Sequence, residues 1–323
     1  GRASTGASGG TRHFRRRLRK RTAFVRRPLR YAALSLALSP LLLLPRRAAR
    51  RVGEFYGAAA HALLPGLRRR SREHLQAAFP SWPPGQVRQV ARAVPRWIGR
   101  TGVDFLRLDH PDTDRLLREV TVEGLVHCRD ALASGRGAIV VTGHFGNWEL
   151  LAAWLARVGP PMRVFYHEFT EKRLNALVWR RRNAAGVAGL VGRSAVREAA
   201  RSLDRGEIVG VLIDLIPRGR GVPVHFFGRP CLAAPQAALL AQRTGAPLLP
   251  AALWWNGHGG YRARFAPPLR SGTDEGTLQE RVVLLTRSLT AVLEEQIREA
   301  PEQWPWFYER WRPVDRRVFG GGG

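Results

Sequence analysis

From Val120 onward the sequence alternates between short β-branched apolar runs and longer stretches whose apolar residues recur three or four apart. Strands are expected at 120–122, 138–141, 162–166, 208–213, 222–227, 248–254 and 261–265, and helices at 125–134, 148–158, 171–185, 195–204, 234–244 and 277–299. Strand alternating with helix calls for an α/β fold, with a largely parallel central sheet flanked by helices. In such sheets ligands sit beyond the carboxyl ends of the strands. No Walker loop and no Gly-x-Gly-x-x-Gly follows a strand, which argues against a nucleotide site.

One strand–helix junction carries candidate chemistry. Ala138-Ile139-Val140-Val141 reads as a strand buried on both faces. Thr142-Gly143-His144-Phe145-Gly146-Asn147 then turns, and from Trp148 a helix follows with Leu151, Trp154, Leu155 and Val158 on one stripe. His144 and Glu149 are five residues apart, which within one helix would set them on different faces. With His144 in the turn and Glu149 in the first helical turn, the two can meet. A carboxylate on one ring nitrogen fixes the tautomer and leaves the other as a base. The positive helix end would keep the resting imidazole neutral. On spacing alone, a capped helix start with a loop histidine and a favourable first-turn acid fits equally well.

The wording Gly-His-Phe-Gly-Asn-Trp-Glu-Leu-Leu at 143–151 resembles the signature of the bacterial lipid A biosynthesis acyltransferases, within the glycerolipid and lysophospholipid acyltransferase superfamily. Weaker similarities extend over 52–313. His74-Leu75-Gln76-Ala77-Ala78-Phe79-Pro80 resembles a family segment that begins with asparagine. Arg182 and Gly186 resemble an arginine-to-glycine signature, with Tyr166-His167 standing where relatives carry an arginine after the preceding strand. The strand ending at Asp214, followed by Phe226-Phe227-Gly228, resembles another block, with Ile216 where many relatives have a second acid. Pro301 to Trp311 resembles the closing motif, with Tyr308 in place of a histidine. Tryptophans beside arginines there suit a membrane interface.

The resemblance implies an O-acyltransferase in which His144 deprotonates an acceptor hydroxyl and Glu149 holds the imidazole, without an acyl-enzyme. Arg182, Asp214 and Asn147 are expected to bind substrate, Arg182 by holding a phosphate or the developing oxyanion. No cofactor is expected; acyl carrier protein or acyl-coenzyme A would supply the chain. The implied acceptor is a hydroxyl of a lipid A precursor. A lysophospholipid, an aminolipid or a phosphoinositol mannoside are alternatives, the mannoside enzymes more often showing Asp where Glu149 stands. The implied setting is the cytoplasmic face of the cell inner membrane.

Charge bears on partners. The formal net charge is +28, and Lys20 and Lys172 are the only lysines among 53 basic residues. Arginine grips phosphate and carboxylate in a fork, so such a surface attracts anionic lipid, nucleic acid or an acidic protein. An acidic carrier protein, an anionic lipid acceptor and a membrane are the expected partners. A basic nucleic-acid-binding protein is the reading from another class, and a non-catalytic membrane scaffold a third. A nucleic-acid-binding protein would need neither a fourteen-residue apolar run nor His144 and Glu149 at a strand end, and an intact but inactive His144 site would mark the scaffold.

Residues 1–51 are expected to form a basic, partly disordered N-terminus whose apolar run at 31–45 is interrupted by Pro40 and flanked by arginines. It falls short of the roughly 20 residues of a spanning helix, so a short anchor or interfacial segment is expected. No small-residue cleavage site supports a secretory signal. Residues 52–118 read as a helical region packed on the core, 119–313 as the α/β domain and 314–323 as a tail. Cys128 and Cys231 form no disulfide framework, and nothing in the sequence activates Cys231 beside His225 as a nucleophile. The histidines show no metal-ligand spacing, so no metal is expected.

Overall fold

The computed structural model describes residues 38–311, apart from 167, 218, 220, 258, 259 and 270–275. Its strands are β1 (Thr121–Glu123), β2 (Ala138–Thr142), β3 (Met162–Phe165), β4 (Val187–Leu190), β5 (Ile208–Leu212), β6 (Val222–Phe226), β7 (Arg229–Ala233), β8 (Leu248–Trp255) and β9 (Tyr261–Phe265). Seven form one sheet in the order β1-β9-β8-β2-β5-β3-β4. The run from β8 to β4 is parallel; β9 is antiparallel to β8, and β1 runs parallel to β9. β6 and β7 form a separate antiparallel hairpin.

The helices are α1 (Arg46–Leu63), α2 (Pro65–Ala78), α3 (Pro84–Leu106), α4 (Asp112–Arg118), α5 (Leu125–Leu132), α6 (Trp148–Val158), α7 (Lys172–Ala184), α8 (Ala195–Asp204), α9 (Gln236–Thr244) and α10 (Leu278–Glu299). They cover both sheet faces. Along β2, Ile139 and Val141 enter one core with residues of α3, α8, α9 and α10, while Ala138 and Val140 enter the other with residues of α5 and α6. That two-sided burial is why β2 is an unbroken apolar run rather than an alternating one.

Two strands differ from the sequence reading. β4 is only Val-Ala-Gly-Leu and follows directly on the end of α7, so it has no turn-bounded pattern of its own. β7 begins Arg229-Pro230, and its hairpin partner β6, not a sheet face, supplies its pairing. Proline is tolerated there because the ribbon has free edges.

Of the apolar run expected to anchor the chain, residues 31–37 lie outside the described residues, as do the basic segment before them and the expected tail. No helix among the described residues is long and apolar enough to cross a membrane. The end of the run is a single helical turn, Pro40–Leu43, docked on the helical region. Leu41 is buried in a small cluster with Ala49 and Val103. The Arg107 guanidinium donates to the carbonyls of Leu41 (2.7 Å) and Leu44 (2.9 Å), satisfying orphan oxygens of that turn.

Asp104 ties these helices to the sheet. It is wholly buried and accepts from Arg46 (2.8 Å), from Arg50 (3.0 Å on each oxygen) and from the Tyr261 hydroxyl on β9 (2.5 Å). Burial and the Asp104 charge push the Tyr261 hydroxyl well above its ordinary value, so it stays protonated and donates. Removing one partner of a buried ion pair leaves the other charge uncompensated. Asp104→Ala is therefore expected to cost about 3–5 kcal/mol, read from the denaturant midpoint at constant slope. A change within a few tenths would show that Arg46 and Arg50 rehydrate freely.

Candidate active site

Strand register builds the centre of the site. β2 and β5 are adjacent and parallel, with Thr142 opposite Leu212. His144 lies two residues beyond Thr142, and Asp214 two beyond Leu212, so the two side chains emerge side by side at the carboxyl edge of the sheet. The Ile213 amide extends the pairing by donating to the Thr142 carbonyl at 3.0 Å. His144 Nδ1 then lies 2.8 Å from Asp214 Oδ1, and the His144 backbone amide donates to Asp214 Oδ2 at 2.8 Å. Trp304 Nε1 adds a third bond to Oδ2 at 3.0 Å.

Asp214 is fully enclosed. Burial alone would raise its carboxyl, but the adjoining His144 imidazole and the three donors outweigh it and hold Asp214 below the usual carboxylate range. His144 responds in the opposite sense. Burial would lower it, yet the charge and hydrogen bond of Asp214, with a smaller contribution from Glu149, raise it above its ordinary value. The sequence reading placed the helix N-terminus in control and left the imidazole neutral; the carboxylate at contact distance overrides that dipole. In its neutral form, with Nδ1–H held by Asp214, the ring carries its lone pair on Nε2, which has no hydrogen-bond partner among the described residues. The ring is flanked edgewise by Trp148 (centroids 4.9 Å) and Tyr308 (5.8 Å).

Sequence spacing pairs His144 with Glu149, and the structure does not. Glu149 Oε2 accepts from Arg182 Nε (3.0 Å), and Oε1 accepts from Arg182 Nη2 (2.6 Å) and from Trp148 Nε1 (3.2 Å). Glu149 starts α6 and faces the end of α7, so it meets the guanidinium instead of the imidazole. Arg182 is also stacked on Tyr166, its guanidinium carbon 4.9 Å from the ring centre. Its Nη1 is buried with no partner. Asp214, expected to orient Arg182 or bind a substrate hydroxyl, is instead the group that holds His144.

Asn147 is also turned inward. It is wholly buried, its Oδ1 accepts from the Leu150 amide (3.1 Å) to cap α6, and its Nδ2 donates to the Tyr261 hydroxyl (3.2 Å). Both ends of the amide are engaged, so in place of the expected substrate contact it links the turn to the Asp104 cluster. Gly146 has φ +60°, and a Cβ there would lie 2.1 Å from the Leu253 carbonyl oxygen, so only glycine fits where the turn crosses β8.

The closing motif belongs to the core. Trp304 and Trp306, expected at a membrane interface, are wholly buried. The Gln303 carbonyl accepts from the Gly146 amide (2.9 Å), and its side chain bonds both the amide and the carbonyl of Trp255 (2.9 and 2.8 Å). Phe226 and Phe227 are buried as well, Phe227 with φ +52°. Sequence reasoning missed Trp304 as an Asp214 donor, because tryptophans beside arginines read as suiting a membrane interface. Cys128 and Cys231 are buried and burial raises both thiols, which suits packing and not nucleophilic attack. Tyr166 is described, but His167 beside it and His258 lie outside the described residues. Among the described residues no cluster of His, Cys, Asp and Glu could hold a metal.

The arrangement supplies a base with a free Nε2, a buried anion behind it, and a cation with one unused donor. An apolar recess lined by Leu151, Ala152, Met162, Val164 and Gly210 opens beside Glu149 and Arg182. A family model described as bacterial lipid A biosynthesis acyltransferase matches residues 20–313. The chain is 26% identical over 263 residues to a phosphatidylinositol mannoside acyltransferase of Mycolicibacterium smegmatis, covering 80% of this chain and 84% of that one. It is 27% identical over 220 residues to the protein of the same name in Mycobacterium tuberculosis H37Rv, covering 66% and 67%. A lipid A biosynthesis palmitoleoyltransferase of Escherichia coli K12 is 25% identical over 270 residues, covering 81% and 85%.

The His144–Asp214 pair makes a pH prediction. A raised histidine contributes stability below its unfolded value near ~6.5, lost as pH rises through its folded value. A depressed aspartate contributes above its unfolded value near ~3.9, lost as pH falls through its folded value. The pair is thus most stabilising between those limits. By NMR, His144 should titrate above an ordinary histidine in the native protein and fall toward or below it in Asp214→Asn. An unmoved titration would show that Asp214 does not control the ring.

Proposed function

The chain belongs to the bacterial lipid A biosynthesis acyltransferase family, and from that premise we propose that His144 and Asp214 drive direct transfer of a fatty acyl chain from a thioester to a hydroxyl of an anionic glycolipid. The observation that carries this reading is the buried Asp214 on Nδ1 with Nε2 left free. His144 Nε2 takes the acceptor hydroxyl proton as the oxygen attacks the thioester carbon. Asp214 stabilises the imidazolium that forms. The tetrahedral oxyanion collapses, the carbon–sulfur bond breaks, and the imidazolium returns the proton to the leaving thiolate. No acyl-enzyme is required.

Arg182 completes the site. Glu149 and Tyr166 hold its guanidinium in one orientation, leaving the unpartnered Nη1 to meet a phosphate or the oxyanion. Glu149 is then a positioning residue for Arg182, and Asp214 takes the role that spacing assigned to Glu149. The apolar recess beside them suits the first carbons of a fatty chain.

For the acceptor, Glu149 at the motif's acidic position favours a lipid A precursor at the cytoplasmic face of the inner membrane. The mycobacterial relatives favour a second reading, a phosphoinositol mannoside. Both offer a sugar hydroxyl near phosphate. Mass spectrometry of lipids from cells with and without the gene separates them by which lipid gains a chain. No altered lipid would overturn acyl transfer to a glycolipid.

His144→Ala and Asp214→Asn are each expected to lower kcat by ~10²–10⁴, the usual contribution of a positioned base. Glu149→Gln should act mainly through Arg182, weakening binding of a phosphorylated acceptor more than it lowers kcat for an uncharged one. Equal losses of kcat with both acceptors would return Glu149 to the base.

The donor we propose is acyl carrier protein, because a +28 surface steers an acidic protein. Exposed charges are screened beyond about 8 Å at physiological ionic strength. The KM for acyl carrier protein should therefore rise with salt more than the KM for acyl-coenzyme A. Equal salt effects would place donor choice elsewhere.

A further inference from the structure

Away from the His144 turn, α1, α2 and α3 enclose a groove of about 410 Å³ lined by Ala58, His61, Ala62, Arg68, Arg72, Arg92 and Arg96. Arg68 and Arg72 are four apart on α2, and Arg92 and Arg96 are four apart on α3. No carboxylate lines the groove. Among the described residues none of these four arginines forms a salt bridge, whereas the nearby acid Glu73 is held by Arg69 at 3.6 Å. Arg72 Nε and His61 Nε2 are buried with no hydrogen-bond partner. Burial, with Arg68, Arg72 and Arg92, holds His61 below its ordinary value, so it lines the groove as a neutral ring.

This arrangement is unfavourable for the protein's own side chains. Like charges four apart on a helix repel, and a buried donor without an acceptor loses its hydration uncompensated. The interior arginines of this protein are treated differently: Arg46 and Arg50 meet Asp104, and Arg182 meets Glu149. Arg68 Nη1 donates to the Ala62 carbonyl at 3.3 Å, and an anion in the groove would offset the four charges and accept from Arg72 Nε.

The surroundings indicate where that anion comes from. Phe55 shares the α1 stripe of Ala58 and Ala62 by spacing and is 66% exposed. At the α1–α2 corner Leu63 is 78% exposed, and Leu64 beside it is exposed too. Exposed apolar side chains next to a basic groove are how a helical surface enters an anionic lipid interface. We propose that this groove seats the headgroup phosphate of an anionic phospholipid, with Phe55, Leu63 and Leu64 entering the acyl region beside it. None of its residues belongs to the His144 site, so the proposal stands or falls independently of the acyl-transfer reading.

The test uses the full chain and the double variant R72Q/R92Q in co-sedimentation with phosphatidylcholine vesicles, with and without phosphatidylglycerol. At about fivefold per arginine near an anionic surface, the variant should bind phosphatidylglycerol vesicles about thirtyfold more weakly. Without lipid it should melt at or above the wild-type temperature, because the repulsion is relieved. Inorganic phosphate should raise the wild-type melting temperature and leave the variant's unchanged. Equal vesicle binding by both proteins would overturn the proposal, and if phosphate alone still discriminated them the site would be one for small anions. Loss of carrier-protein binding with vesicle binding intact would overturn it in favour of a protein partner.

Discussion

The rest of the structure depends on one backbone register. Thr142 opposite Leu212 sets two neighbouring parallel strands so that residues two beyond each end are forced together. A histidine on one extension and an aspartate on the other then meet without any long side chain having to search for its partner. The surrounding elements protect that contact. Asn147 caps the helix leaving the turn, Gly146 lets the turn cross β8, and Trp304 closes the far side of Asp214. A carboxylate enclosed this way is costly unless its charge is matched, and the imidazole supplies the match. The stabilisation of the folded pair and the basicity of Nε2 are the same interaction seen from two sides.

Charge compensation organises the molecule on a larger scale. With 53 basic and 25 acidic residues, many arginines must go unpaired, and the buried acids Asp104, Glu149, Glu207 and Asp214 are each paired with a basic side chain. Asp104 binds two arginines of α1, and Asp112 and Asp109 serve Arg107 and Arg181. Through Tyr261 and Asn147 the Asp104 cluster reaches the His144 turn, so the helical region before the sheet contributes to the geometry of the candidate site. What is left over is positive and lies outside, which is why the surface is basic while the interior is close to neutral.

Much of the fold was legible because two-sided burial and helical stripes write themselves directly into composition. β2, α6, α8 and β9 could be read from apolar spacing alone. β4 and β7 could not, because a four-residue strand after a helix and a strand opening on Arg-Pro have no distinctive pattern. Within the site, His144 was legible from its place at a strand end. Its partner was not. Which acid reaches it depends on strand order, and nothing local says that β5 lies beside β2. The tryptophans of the closing motif fell to a similar ambiguity. An aromatic next to an arginine suits a membrane interface or a core wall equally, and only packing shows that Trp304 and Trp306 form the wall.

The spacing of histidine and acid around the turn thus has a different physical meaning from a dyad. Across this strand–helix junction the acid is the second residue of the new helix, and its side chain bonds Arg182 and Trp148 in place of the imidazole. The Glu149 carboxylate faces the neighbouring helix end, where both its oxygens accept from the Arg182 guanidinium. Under the proposed acyl transfer, the motif supplies two halves of one site: a histidine with a free ring nitrogen, and an anchor for the Arg182 guanidinium. The two acids have separate hydrogen-bond partners, so neither carboxylate has to satisfy an imidazole and a guanidinium at once, while the Glu149 charge still adds to the rise at His144.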